Sequence, residues 1–128
     1  MAEFEIKDGV AIIPEGTTEI GDCAFFDCTS LESITIPEGV TKIGYGSFSR
    51  CTSLESISIP KGVKEIGRNT FNGCKALNTI TLPIGVNKIE DGTFDGCSAL
   101  ATIYVPAKKT DYYKKRLPKE LHDKIVEL

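Results

Sequence analysis

Leu31-Glu32-Ser33-Ile34-Thr35-Ile36-Pro37-Glu38-Gly39-Val40-Thr41-Lys42-Ile43-Gly44-Tyr45-Gly46-Ser47-Phe48-Ser49-Arg50-Cys51-Thr52-Ser53 is one turn of a pattern that returns every 23 residues. Pro14, Pro37, Pro60, Pro83 and Pro106 keep that period, as do Leu31, Leu54, Leu77 and Leu100. Phe25, Phe48, Phe71 and Phe94 follow it, and so do Cys28, Cys51, Cys74 and Cys97. Ile20, Ile43, Ile66 and Ile89 form a further column, and Gly16, Gly39, Gly62 and Gly85 another. Ile34-Thr35-Ile36 alternates apolar and polar residues, the period of a half-buried strand. Pro37 and Gly39 predict a type I turn with proline second and glycine fourth. Val40, Ile43, Phe48 and Cys51 are the next inward residues. A unit this thin cannot bury its apolar side alone. Stacked on its copies it can, and the product is a solenoid.

Working outward from the repeat, the whole chain has 128 residues, the size of one domain. Its net charge of -3 argues against a nucleic-acid partner. No apolar run approaches the ~18 residues of a membrane span, so no membrane insertion is expected. Met1-Ala2-Glu3-Phe4-Glu5 lacks the basic and apolar regions of a signal peptide. The expected location is therefore the cytoplasm, or a surface protein of which this is an excised domain. His122 is the one histidine and tryptophan is absent, which leaves little material for a Ser-His-Asp hydrolase or a His-rich metal site. Neither catalysis nor a cofactor or metal is expected.

The two ends depart from the period. Ala2, Phe4 and Ile6 alternate, so residues 1–7 predict a strand capping the first layer, and residues 8–106 hold the repeats. After Pro106 the pattern stops. Residues 107–128 carry seven Lys/Arg and four Asp/Glu, a basic tail on an otherwise acidic chain. Thr110 or Asp111 can start a helix, Tyr113 and Leu117 share one helical face, and Pro118 suits the first turn of another. With Leu121, Ile125 and Leu128 on one face, two short amphipathic helices are predicted to cap the last coil.

Several residues invite a chemical reading. The four repeating cysteines stand one strand spacing apart, so Cys28 and Cys97 are ~14 Å apart and cannot share one zinc ion. Stacked equivalents also point the same way, which disfavours disulfides. The expectation is a reduced ladder of buried thiols. Cys23 lies outside it, in the column of Gly46, Asn69 and Gly92, and is expected to be more exposed. The phenylalanine column reads as an aromatic spine in the core, and Phe26 as an isolated exposed apolar residue. Asp91 and Asp95 lack the alternating oxygen ligands of a calcium loop and read as a polar turn. His122 reads as a surface histidine.

The columns resemble the BspA-like leucine-rich repeats, whose pattern is roughly Leu-x-x-Ile-x-Ile-Pro-x-x-Val-x-x-Ile-Gly-x-x-Ala-Phe-x-x-Cys-x-x. Residues 31–99 match it three times, with partial units on either side. Thr17 replaces the valine, Glu90 the glycine, and Asp8 stands in the first leucine slot. The resemblance implies an α/β leucine-rich repeat solenoid, mostly β and right-handed, with a parallel sheet on its concave side and a helical C-terminal cap. With strands ~4.8 Å apart, about five layers make a rod ~20–25 Å long.

Within Leu-x-x-Ile-x-Ile the third and fifth residues face outward. They are Ser33 and Thr35, Ser56 and Ser58, Thr79 and Thr81, then Thr102 and Tyr104: a ladder of hydroxyls ending in an aromatic. Glu32 and Glu55 flank it, and Val10 and Ile12 give its first layer an apolar surface. Hydroxyls accept and donate hydrogen bonds, and tyrosine is a frequent interface anchor. These eight residues are the expected protein-binding site of a non-catalytic scaffold. The resemblance implies adhesion, with a host or extracellular-matrix protein as partner. The alternative is a structural module that self-associates through its ends.

Overall fold

The computed structural model describes residues 4–128. The chain winds as a mostly-β solenoid of about five turns with parallel sheets. In chain order the elements are β1 (Glu5–Lys7), β2 (Val10–Ile12), β3 (Glu19–Ile20), β4 (Ser33–Ile34), β5 (Lys42–Ile43), β6 (Ser56–Ser58) and β7 (Glu65–Ile66). Then come β8 (Thr79–Thr81), β9 (Lys88–Ile89), β10 (Thr102–Val105), α1 (Thr110–Lys114), a 3-10 turn (Lys119–Lys124) and β11 (Ile125–Glu127). One broad face is built from two ladders, β1-β2-β4 and β6-β8-β10-β11, with β4 against β6 where they meet. A narrow second sheet runs β3-β5-β7-β9.

Every repeat-to-repeat pairing keeps the 23-residue register, as in Ser56↔Thr79↔Thr102 and Ile20↔Ile43↔Ile66↔Ile89. The core is a set of columns. Phe4 and the four repeat phenylalanines stack nearly parallel, with successive centroids 5.5, 5.3, 5.6 and 5.8 Å apart. The repeat leucines, isoleucines and valines close around that spine.

The turn after the broad sheet differs from expectation. The Val40 amide donates to the Pro37 carbonyl at 3.2 Å, so proline is first in the turn and Gly39 third. Proline has no N–H for a ladder and so ends the sheet. The reversal then starts from its carbonyl. Further along each coil, two columns require left-handed backbone. Cys23, Gly46, Asn69 and Gly92 have φ of 58, 62, 58 and 73°. Asp27, Arg50, Gly73 and Gly96 have φ of 60, 64, 76 and 78°. This explains a column that mixes Cys, Gly and Asn: what it shares is backbone geometry, not polarity.

A close approach between layers explains the Gly44 and Gly67 column. A Cβ at Gly67 would lie 2.6 Å from the Tyr45 amide nitrogen, and one at Gly44 2.7 Å from that of Asp22. Glu90 breaks this column, and the layers part slightly there. The amide of residue 90 reaches Ile66 at 3.1 Å, where Gly44 and Gly67 reach Ile20 and Ile43 at 2.8 and 2.9 Å.

The N-terminal expectation holds in its described part: β1 pairs antiparallel with β2, and Phe4 covers Phe25. Ala2 lies outside the described residues. The C-terminal expectation needs correction. Residues 110–114 are helical, and Tyr113 and Leu117 are buried. Neither Thr110 nor Asp111 caps α1; the Thr110 hydroxyl donates to the Glu127 carboxylate at 2.7 Å. The second helix is only a 3-10 turn, and Ile125–Glu127 pairs parallel with β10 instead. Ile125 packs on the core, but Leu128 is 70% exposed, so the proposed Leu121–Ile125–Leu128 helical face does not exist. The open edge of β10 offers ladder partners that a helix would leave unpaired, and this outweighs local helical spacing.

Candidate functional site

The eight hydroxyl-ladder residues all lie on the broad face. Ser56, Thr79 and Thr102 stand in one row, and Ser58, Thr81 and Tyr104 in the next. Ser33 continues the first row beside Val10, and Thr35 follows directly after β4. Ser33, Thr35, Ser56 and Ser58 are exposed, and Thr79, Thr81, Thr102 and Tyr104 partly covered. The alternation responsible is visible in β6 and β8, where Ile57 and Ile80 between the hydroxyls point into the core. Glu32 and Glu55 border an open hollow of about 710 Å³ beside Ser33 and Ser56.

Apolar residues bound the hydroxyl face at both ends. Val10 and Ile12 are 44 and 48% exposed on β2. At the far end Val126 pairs beside Tyr104 and is 45% exposed. Val126 escapes the sequence reading because residues 107–128 read as two short helices. The alternation Ile125-Val126-Glu127 carried a strand signal that helical spacing obscured.

The thiol ladder is a structural feature. Cys51, Cys74 and Cys97 donate through Sγ to the carbonyls of Phe25, Phe48 and Phe71 at 3.1, 3.0 and 3.1 Å. Burial pushes these thiols up to about 12, 11 and 12, which holds them protonated and poorly nucleophilic. Cys28 is half-buried and raised by the same cause. Cys23 is also half-buried, and its contact with Tyr45 raises the exposed phenol. Phe26 is exposed, with the Arg50 guanidinium 5.9 Å above its ring. His122 is half-buried, its Nε2 3.0 Å from the Leu117 carbonyl. Among the described residues, no three His, Cys, Asp or Glu side chains are grouped to hold a metal ion, and no helix is long and apolar enough to cross a membrane.

The cap closes the last coil by substitution. The Thr17, Val40 and Val63 amides reach Pro14, Pro37 and Pro60 directly, each at 3.2 Å. In the fourth turn the Tyr113 hydroxyl enters instead: it donates to the Pro83 carbonyl and accepts from the Val86 amide at 3.3 Å. Burial pushes this phenol up to about 12. Arg116 Nε donates to the Asn87 carbonyl at 3.2 Å, where Thr18, Thr41 and Lys64 accept backbone amides of the following layer. Its guanidinium lies 3.5 Å from the centroid of the Tyr112 ring.

A family model described as BspA type leucine-rich repeat region, in six copies, matches residues 9–116. The chain belongs to this BspA-type family. The comparison with solved structures agrees. The BspA-type chain is similar to a leucine-rich repeat protein from Bacteroides ovatus, at 32% identity and a TM-score of 0.74, covering 88% of this chain and 29% of that one. A leucine-rich cell surface protein from Faecalibacterium prausnitzii gives 26% and 0.73, covering 88% and 36%. A leucine-rich repeat protein from Bacteroides capillosus gives 29% and 0.64, covering 80% and 91%. The BspA-type chain thus spans about a third of the first two relatives. A comparison with curated proteins finds no match.

Proposed function

We propose that this BspA-type chain is a non-catalytic protein-binding module that acts through the hydroxyl face. The observation that carries the reading is the ladder itself. Short Ser and Thr side chains keep the broad sheet accessible, and exposed apolar residues with Tyr104 supply burial at its ends. Family membership supports an interaction or scaffold role in general. Adhesion to a host or matrix protein is the finer reading, as is a place at the cell surface. That the Faecalibacterium relative is a leucine-rich cell surface protein supports the latter.

The test compares wild type with Thr79→Arg/Tyr104→Ala, after circular dichroism shows that both fold. Each is used to capture proteins from matrix extracts, and direct titration follows with the purified captured protein. Binding by wild type that the variant loses supports the face. Equal binding by both refutes it.

The alternative is self-association. Among the described residues β11 is a three-residue edge strand, with its own Val126 and the following Leu128 exposed. Light scattering across concentration separates the readings, since a monomer at every concentration excludes the second.

A further inference from the structure

The outer loop of each coil passes its amides forward to the next. Cys23, Phe25 and Asp27 donate to the carbonyls of Tyr45, Ser47 and Ser49 at 2.8, 2.7 and 2.8 Å. Gly46, Phe48 and Arg50 do the same to Arg68, Thr70 and Asn72 at 2.9, 3.0 and 2.8 Å. Asn69, Phe71 and Gly73 then reach Asp91, Thr93 and Asp95 at 3.2, 3.0 and 2.8 Å. Because the direction never reverses, the last loop ends in donors. Among the described residues, the amides of Gly92, Phe94 and Gly96 have no protein acceptor. The cap satisfies the broad sheet with β11 and the turn with Tyr113, but leaves this row open. The three residues border a cavity of about 480 Å³ between the loop and residues 115–121. Ile89 borders it too. Its carbonyl lacks the amide partner that Ile20, Ile43 and Ile66 each have.

Charge narrows the occupant. Glu90, Asp91, Asp95 and Glu120 line the cavity, against Lys115 and Arg116. Arg116 is committed to Asn87, to the Tyr112 carbonyl and to the Tyr112 ring. An anion meets an excess of carboxylates there. A second copy stacked head to tail is opposed twice: it would set Asp22 over Asp91 in the same column, and β11 already holds the edge its sheet would need. Neutral carbonyls carried on a cationic chain suit both features.

We propose that this end cavity binds a basic segment of another polypeptide that follows the path of one more outer loop, whose alternate carbonyls accept from Gly92, Phe94 and Gly96 and whose Lys or Arg side chains face Asp91 and Asp95. Alternation fits because Asp91, Thr93 and Asp95, in a loop of consecutive turns, already offer every second carbonyl to the amides of the layer before. The site is separate from the hydroxyl face and does not depend on it.

The experiment is an amide NMR titration of the whole chain with the blocked peptide Ac-(Gly-Lys)3-Gly-NH2, and in parallel with Ac-(Gly-Glu)3-Gly-NH2, each to about 1 mM. The expected result is saturable shifts at Gly92, Phe94 and Gly96 with the lysine peptide alone, weakened severalfold in Asp91→Asn/Asp95→Asn and by added salt. Both aspartates are exposed, so this variant retains the fold. No shift at these amides with the lysine peptide overturns the proposal. So do equal shifts with the glutamate peptide, shifts confined to the hydroxyl face, or shifts on raising protein concentration alone, which would mark a second copy as the occupant.

Discussion

An interior layer and the C-terminal cap meet the same demands by opposite means. Between residues 31 and 99, each layer is completed by a translated copy of itself: phenylalanine on phenylalanine, thiol to carbonyl, amide to carbonyl 22 residues on in the outer loop. In the cap no copy arrives, so unlike groups stand in for it. β11 supplies main chain to β10, the Tyr113 hydroxyl completes a turn, and the Arg116 side chain replaces a backbone amide. Where periodicity stops at Pro106, the cap pairs the broad sheet and the turn and leaves the outer-loop amides of Gly92, Phe94 and Gly96 open among the described residues.

The comparison can be broken hardest by alkali. Cys51, Cys74, Cys97 and Tyr113 all ionise at higher pH when folded than when unfolded. Their protonated forms are therefore favoured by folding, and the associated stability is complete below about pH 9 and lost as pH rises toward 11–12. Each unit in that window costs up to ~1.4 kcal/mol per group. Under reducing conditions the urea midpoint should stay level to about pH 8.5 and then fall steeply. A level midpoint through pH 11 would contradict the buried ladder.

Phe71→Ala removes the middle of the spine and should destabilise by ~3–5 kcal/mol in denaturant unfolding. Tyr113→Phe keeps the ring but strands the Pro83 carbonyl and Val86 amide, a loss of ~1–3 kcal/mol with faster hydrogen exchange at Val86. If interior and cap are equivalent solutions, Thr70→Val, which removes a buried hydroxyl donating to Gly67 at 2.7 Å, should cost a similar ~1 kcal/mol. A much larger Tyr113 effect would show that the cap is the more specialised device. Arg116→Lys should be the mildest of the cap changes, ~0.5–1 kcal/mol, since lysine keeps the charge but loses the guanidinium stacking on Tyr112. Phe26→Ser, on an exposed position of an interior-type loop, should stay within ~0.5 kcal/mol.

Most of the interior was legible in the sequence. Strand alternation placed Ser56, Ser58, Thr79 and Thr81 outward, with the structure setting Ile57 and Ile80 between them in the core, and spacing placed the phenylalanine and cysteine columns. The second sheet was less legible, because its two-residue strands show no alternation. Its partners Glu19, Lys42, Glu65 and Lys88 do alternate in charge from layer to layer, which only the pairing makes meaningful. The column of Cys23, Gly46, Asn69 and Gly92 was visible, but its common property is positive φ, which the side chains do not announce. Val126 was missed at the hydroxyl face, and the open amides of Gly92, Phe94 and Gly96 have no side-chain signature.

The sequence by itself determined the layer, its period and its inward columns. In a stack, the tertiary neighbours of each residue are its own sequence equivalents, so the pattern along the chain is also the contact pattern. Only the tertiary structure decided the boundary. Residues 125–127 became a strand because β10 offered an unpaired edge, and Tyr113 and Arg116 acquired their roles because a missing layer left Pro83, Val86 and Asn87 needing partners. An end has no second copy in the sequence from which its contacts could be read.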